Sequence, residues 1–291
     1  MIISASRRTD IPSFYSDWLY NRITDRFVIA RNPRNFRQVS KVSLAPGDVD
    51  GIVFWTKNPA PMLERLGELR DYTFYFQFTL TPYGREIEPN LPAKESDLLE
   101  TFKKLSDRIG PDRVVWRYDP VLINARYSPE YHIDAFGRFA EALYGFTHRV
   151  TISFIDEDYR GVRNNIKGLA LLDFPLEMQT GLGAGLAKIA RSRGMAIGVC
   201  AEKMDLQAFG IDRARCIDAG LIEKLSGRFL NIGKDKNQRP ECGCAASTDI
   251  GMYNTCQNGC LYCYANYNPK LIARNASNHN PLSPLIYGEP E

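Results

Sequence analysis

Three cysteines stand close together late in the chain, in the run Cys256-Gln-Asn-Gly-Cys260-Leu-Tyr-Cys263. Cysteine thiolates at such short spacings are the usual ligands of iron–sulfur clusters. Three thiolates can hold three irons of a 4Fe–4S cube and leave the fourth iron open to a substrate or cofactor. The spacing therefore predicts a 4Fe–4S cluster that does chemistry, and hence an iron–sulfur enzyme.

The other four of the seven cysteines are Cys200, Cys216, Cys242 and Cys244. In a reducing compartment they are ligands more often than disulfides. Four thiols predict a second, fully ligated site, either an auxiliary 4Fe–4S cluster or a structural Zn²⁺. Two alternatives stay open. Cys200 and Cys216 could simply be buried, or a single zinc site could draw its ligands from Cys242, Cys244, Cys256, Cys260 and Cys263.

Apolar runs alternate with amphipathic stretches in the chain before these cysteines. Six runs are nearly continuously apolar and predict parallel strands buried on both faces: Ile2–Ser6, Gly51–Thr56, Thr73–Leu80, Val114–Tyr118, Arg149–Ile155 and Ala196–Cys200. Helices are predicted between them at Ser13–Ile23, Pro61–Leu69, Ser96–Ile109, Pro129–Leu143 and Gly185–Arg193, and we expect His132 on a surface helix. Phe27–Arg31 and Gln38–Leu44 predict an inserted hairpin.

This alternation predicts an α/β protein that closes into a TIM-like, partial parallel β/α barrel of about six strands. The rhythm breaks after Cys200, where the chain becomes loop-rich, with one short helix near Ile217–Leu225. We therefore interpret residues 1–200 as the barrel. Residues 201–291 would form a Cys-rich, loop-dominated C-terminal extension packed on it within one structural unit.

Polar side chains lie at the ends of the predicted strands. The carboxyl ends of parallel barrel strands meet at one face, where active sites are built. We therefore predict that this rim positions the carboxylate, phosphate or hydroxyl groups of a small-molecule substrate through Arg7, Arg8, Asp10, Lys57, Arg117, Asp119 and Glu202. The cofactor-binding candidates are Gln77, Thr79, Ser153 and Tyr262. The alternative is mutual neutralisation, with Arg7 or Arg8 pairing with Asp10 and Arg117 with Asp119.

The run from Cys256 to Cys263 closely resembles the cluster-binding loop of the radical S-adenosylmethionine superfamily. The resemblance implies a partial six-stranded barrel and an open iron that takes the amino and carboxylate groups of S-adenosylmethionine. It also implies an electron donor and a 5′-deoxyadenosyl radical that abstracts hydrogen from the substrate.

Two features depart from that superfamily. The loop follows the sixth predicted strand rather than the first, although the first and last rims of a barrel are neighbours, as in a circular permutation. Lys57-Asn58-Pro59 stands where a Gly-Gly-Glu run commonly follows the second strand.

The chain also resembles, over nearly its full length, a bacterial family of uncharacterised proteins known only as a domain of unknown function. The resemblance rests on Ile3–Asp10, Phe54–Pro59, Trp116–Pro120 and the stretch from Asp249 to Asn266. It implies one intact domain and supplies no activity.

Composition limits the other classes of protein. The 291 residues are 44% hydrophobic and 24% charged, as in ordinary globular proteins. No apolar run approaches the roughly 18–20 residues of a membrane span and no signal peptide is evident, so we expect a cytoplasmic protein with no membrane partner. The net charge of +3 is too small to predict nucleic-acid binding.

The sequence leaves two alternatives to an iron–sulfur enzyme open. One is a zinc-stapled barrel with a hydrolytic or ligand-binding rim. The other is a nucleic-acid-binding module with a metal clip, in which Arg31, Arg34 and Arg37 would contact phosphate.

Overall fold

The computed structural model describes residues 1–33, 35, 37–157 and 160–288. Its helices and strands are, in chain order, β1 Ile2–Ala5, α1 Ile11–Phe14, α2 Ser16–Asp25, β2 Phe27–Arg31, β3 Val39–Ser43, β4 Gly51–Thr56, β5 Phe74–Thr79, α3 Leu99–Ile109, β6 Val114–Val121, α4 Pro129–Ala142, β7 Arg149–Phe154, α5 Arg160–Ile166, α6 Leu176–Ser192, β8 Ala196–Val199, β9 Asp212–Arg213, α7 Ala219–Ser226, β10 Thr248–Asp249 and α8 Pro269–Ser277. A 3₁₀ helix at Ala60–Leu69 joins β4 to β5.

Eight strands form one sheet in the order β10-β1-β4-β5-β6-β7-β8-β9. Every neighbouring pair in it is parallel, and β2 and β3 form a separate antiparallel hairpin. The predicted α/β class is therefore confirmed, and all six predicted strands are present. The two edge strands were not predicted, because two-residue strands carry no periodicity.

Side chains on one face of the sheet pack against the helices. Ile52, Phe76 and Trp116 belong to this large core. Residues one position along each strand point to the opposite face of the sheet. We call this the inner face; its apolar residues include Ile2, Val53, Tyr75 and Val115.

The inner face is covered by the chain that follows β9. Ile217, Leu221 and Ile222 pack there. A Cβ on Gly51 of β4 would lie 2.8 Å from Ile222 Cδ1, so a larger residue there would force the Ile222 side chain to shift.

The C-terminal 91 residues are less loop-dominated than predicted, because they supply both edge strands, α7 and the unpredicted α8. Helix α6 begins at Leu176, before the predicted Gly185. Of the three arginines near the hairpin turn, Arg34 lies outside the described residues. No helix in the described part of the chain is long and apolar enough to cross a membrane.

His132 is buried rather than at the surface. Helix α4 turns it towards β6, where its ring nitrogens lie 2.7 Å from the Tyr118 hydroxyl and 2.9 Å from the Leu122 carbonyl oxygen.

Candidate functional site

The cysteine loop, residues 254–266, is tightly folded after β10. Cys256 and Cys260 are buried and Cys263 is half-buried. The Asn266 side-chain oxygen accepts the backbone N–H groups of Thr255 and Cys256, each at 2.9 Å. The Cys263 N–H donates to the Cys260 carbonyl at 3.1 Å. These hydrogen bonds, all between residues of the loop, fix its conformation.

Gly259 makes the turn into Cys260 possible. Its φ of +72° lies in the left-handed region, which favours glycine. A Cβ there would also stand 3.0 Å from Pro89 Cγ. The glycine therefore lets the loop lie directly on the chain that follows β5.

Asp10 joins the cysteine loop to the ends of β1 and β4. Its carboxylate accepts the Lys57 backbone N–H at 2.7 Å, the Asn258 side-chain N–H at 3.1 Å and the Ser13 backbone N–H at 3.1 Å. Burial raises the pKa of Asp10. The three bonds place the loop at the carboxyl ends of the neighbouring strands β1 and β4.

Glu88 lies beside Cys260 at the centre of a buried polar cluster. Lys57 Nζ contacts Glu88 Oε1 at 2.7 Å, and Lys94 and the Tyr262 hydroxyl also bind this carboxylate. The Glu88 side chain is 0% exposed. Burial alone would raise the pKa of Glu88, but Lys57 and Lys94 lower it to about 2.

The lysines of this cluster affect the nearest thiol. Burial raises the pKa of Cys260 to about 12, although Lys57 acts in the opposite direction. Burial would lower the pKa of Lys57, but Glu88 and Cys260 raise it, so Lys57 stays charged. A positive charge therefore faces the loop where thiolates would need one.

Asp249 of β10 is the partner of the polar residues that end β1. It accepts the Ser6 hydroxyl at 2.6 Å and the Arg7 backbone N–H at 2.9 Å. Arg8 Nη1 lies 3.7 Å from Asp249 Oδ1. The alternative pairing of Arg7 or Arg8 with Asp10 is therefore wrong, because Asp10 is occupied by the ends of β4 and α1.

Arg117 is buried on the inner face and does pair with Asp119. Its Nη1 also donates to Cys216 Sγ at 2.8 Å and to Gln77 Oε1 at 3.3 Å. The Ser153 hydroxyl donates to Asp119. A continuous polar row thus crosses β5, β6 and β7.

Two further candidates flank this row. Thr79 is the last residue of β5 and stands opposite Arg117 in the ladder. Glu202 accepts the Phe154 backbone N–H at 2.9 Å, which ties the end of β7 to the chain after β8. Burial raises the pKa of Glu202.

Trp55 lies between two arginines on the inner face. The Arg117 guanidinium carbon stands 4.8 Å from its ring centroid and that of Arg7 5.6 Å. Trp55 Nε1 and Arg7 Nη2 are both buried, and neither has a hydrogen-bond partner among the described residues. Buried donors without acceptors are costly, and at functional sites they often mark the place of a ligand.

The four remaining cysteines also meet on the inner face. Cys200 Sγ and Cys216 Sγ are 3.2 Å apart. Hydrogen bonds from Cys216 and Cys242 lower the pKa of Cys244. Within the described ranges, however, no three Cys, His, Asp or Glu side chains are already arranged to hold a metal ion.

A family model described as a domain of unknown function, DUF1848, matches residues 2–265. The chain belongs to this family. No curated protein and no solved structure matches it. The matched range contains all seven cysteines and ends one residue before Asn266, the last residue of the cysteine loop. The family assignment supplies no activity, so the function has to be argued from the site itself.

Sequence reasoning missed several residues of this site. Glu88 lies in the irregular chain after β5, and Lys94 is the first residue of a short π-helical turn before α3. No periodicity or motif marks either residue. Trp55 looks like core in an apolar run. Asn258 and Asn266 carried a signal, because both lie within the cysteine-rich segment.

Proposed function

We propose that this chain is an iron–sulfur enzyme in which Cys256, Cys260 and Cys263 hold a 4Fe–4S cluster. The observation that carries the proposal is a shaped loop with three neighbouring cysteines, anchored by Asp10 at the strand ends. Metal binding releases the thiol protons, and the charged Lys57 beside Cys260 favours that change. Three protein ligands would leave one iron free for chemistry.

The substrate would bind on the inner face, between the cysteine loop and the four remaining cysteines. Arg7 borders both, because the Tyr264 hydroxyl donates to its carbonyl at 3.1 Å while its guanidinium interacts with Cys244 and Cys216. The unpartnered N–H groups of Arg7 and Trp55 need acceptors. A small molecule bearing a carboxylate or phosphate provides them.

We also propose that the sheet curves into a TIM-like, partial barrel around this site. Contacts across the inner face support the curvature. The Tyr75 hydroxyl of β5 donates to the Cys216 carbonyl at 2.7 Å, and Arg149 of β7 binds Asp218 at 3.0 Å. The chain after edge strand β9 thus reaches the middle of the sheet.

The chemistry we propose is of the radical S-adenosylmethionine type. Held by Cys256, Cys260 and Cys263 and reduced by an external electron donor, a cluster there would supply the one-electron reductive cleavage of S-adenosylmethionine. The protein's part would be to position the substrate through Arg7, Trp55 and Arg117. The buried Asp119–Ser153 pair would hold Arg117 in place.

Iron and sulfide analysis of anaerobically reconstituted protein tests the cluster. We expect four irons and four sulfides per chain, with the broad visible absorption of a cubane cluster. Cys260→Ser should lose them, whereas Cys242→Ser, a buried-cysteine control in the other set, should keep them. A colourless wild-type protein, or a cluster that survives in Cys260→Ser, would refute the proposal.

Reductive cleavage is tested separately on the reconstituted wild-type protein. With dithionite and S-adenosylmethionine, we expect 5′-deoxyadenosine and methionine in equal amounts, and none from Cys260→Ser. The electron paramagnetic resonance signal of the reduced cluster should change when S-adenosylmethionine is added. An unchanged signal with no 5′-deoxyadenosine would refute the S-adenosylmethionine chemistry without refuting the cluster.

A further inference from the structure

The four cysteines outside the loop form a chain of neighbouring thiols, Cys200–Cys216–Cys244–Cys242. Cys200 Sγ is 3.2 Å from Cys216 Sγ, and Cys216, Cys242 and Cys244 pack in one buried cluster on the inner face. Cys216, Cys242 and Cys244 are each at most 8% exposed. Cys200 is half-buried. Four thiols gathered from three separate segments on one face suggest a shared ligand, because packing alone would not require a thiol at each of these positions.

Backbone hydrogen bonds hold the segments that carry these thiols. Cys200 directly follows β8 and Cys216 follows β9, while Cys242 and Cys244 precede β10. The Ala245 N–H donates to the Ile217 carbonyl at 2.9 Å, and the Asp235 N–H donates to the Cys244 carbonyl at 2.9 Å. The Gln77 amide fixes the Cys216 carbonyl at 2.9 Å. The fold therefore brings the four cysteines together independently of the cysteine loop.

The donors around the sulfurs suit thiolates rather than thiols. Arg117 Nη1 points at Cys216 Sγ from 2.8 Å, and the Ile217 backbone N–H donates to Cys244 Sγ at 3.4 Å. A neutral thiol is a weak acceptor, whereas outer-shell donors are usual around metal-bound ligands. Four thiolates on a divalent ion carry a net charge of −2, and Arg7 and Arg117 supply two positive charges beside them.

The spacing of the sulfurs distinguishes the two kinds of metal site. Four thiolates that share one tetrahedral Zn²⁺ at about 2.3 Å stand about 3.8 Å from one another. Thiolates on a 4Fe–4S cube bind different irons and point outward, so their sulfurs lie much farther apart. The 3.2 Å contact between Cys200 and Cys216 is shorter than about 3.8 Å, but it is much closer to the spacing on a shared single ion than to the spacing on a cube.

We propose that Cys200, Cys216, Cys242 and Cys244 bind one structural Zn²⁺ as a tetrathiolate site. Zinc binding would reorient the four thiols towards one ion. It would also fix the segments after β8, after β9 and before β10 to the inner face. Through Cys216 it would also hold Arg117 in position. This site does not depend on the cluster proposed for the cysteine loop.

X-ray absorption at the zinc edge, on wild-type protein purified without chelators, tests the site directly. We expect one zinc per chain with four sulfur neighbours at about 2.3 Å. Cys216→Ser and the less buried Cys200→Ser should bind less than a tenth as much zinc. The matched control Cys263→Ser should lose the iron–sulfur cluster and keep the zinc.

Three results would overturn the zinc site. The first is eight irons per wild-type chain falling to four in Cys200→Ser, which would mean a second cluster. The second is zinc that disappears in Cys263→Ser, which would place it in the cysteine loop. The third is a Cys200–Cys216 disulfide in zinc-free protein, seen as a mass loss of two hydrogens. Failure of the cluster experiment alone would leave this site untouched.

Discussion

Replacing Glu88 by Gln should destabilise the protein strongly, because it leaves Lys57 and Lys94 buried without their counter-charge. The Glu88 side chain is 0% exposed and those of the lysines 11% and 14%. Removing one partner of a buried ion pair typically costs about 3–5 kcal/mol. The pKa of Glu88 gives a similar free-energy cost, because its lowering from 4.5 to about 2 corresponds to about 3 kcal/mol.

The pH dependence of this cost has a definite sign. The pKa of Glu88 is lower in the folded than in the unfolded chain, so its contribution is complete above pH 4.5 and is lost as the pH falls towards 2. The difference between wild type and Glu88→Gln should therefore shrink from about 3 kcal/mol at pH 7 to about 1 kcal/mol at pH 3.

Urea unfolding followed by tryptophan fluorescence measures these differences. Glu68→Gln is the matched control, because Glu68 pairs with Arg65 at 2.6 Å but is 45% exposed, and exposed pairs contribute about 0–1 kcal/mol. Adding Lys94→Met to Glu88→Gln should restore part of the loss. The reasoning fails if Glu88→Gln costs no more than Glu68→Gln, or if its cost is the same at pH 7 and pH 3.

Two further predictions concern the fold. Burial lowers the pKa of His132 to about 4, so the folded protein loses stability as the pH falls from 6.5 towards 4. Between pH 7.5 and pH 5, the free energy of urea unfolding should fall by about 2 kcal/mol more in wild type than in His132→Gln. Equal decreases in the two proteins would contradict this. A Cβ on Gly251 would overlap the Ser6 hydroxyl, whereas one on Gly67 would meet nothing within 4 Å. Gly251→Ala should therefore cost about 1–3 kcal/mol of unfolding free energy and Gly67→Ala should not, and equal effects would show that the β10 contact tolerates a methyl group.

The sheet could be predicted because its strands are buried on both faces and read as continuous apolar runs. Edge strands β9 and β10 could not, since Asp212–Arg213 and Thr248–Asp249 are short and polar. Their pairing is set by neighbouring strands, as Ile3 opposite Thr248 shows. The local sequence of a short edge strand does not determine which strand it pairs with.

The candidate site was predictable where a motif or a strand end marks it. Spacing identified the cysteine loop, and strand ends identified Asp10, Lys57 and Arg117. Glu88 escaped because only the folded chain brings it beside Lys57 and Tyr262. The alternative in which Arg7 or Arg8 pairs with Asp10 fails for a related reason. Only the folded chain brings the backbone and amide N–H groups that bind Asp10 to its carboxylate.

The pairing of β1 with β10 has a consequence for how the protein is made. Ile2–Ala5 is synthesised more than 240 residues before its partner, so one of its edges stays open until Thr248–Asp249 has been synthesised. An unpaired strand edge invites association with other chains, and nascent domains with such edges aggregate readily. Chains truncated before residue 248 should therefore depend on chaperones far more than the full-length chain.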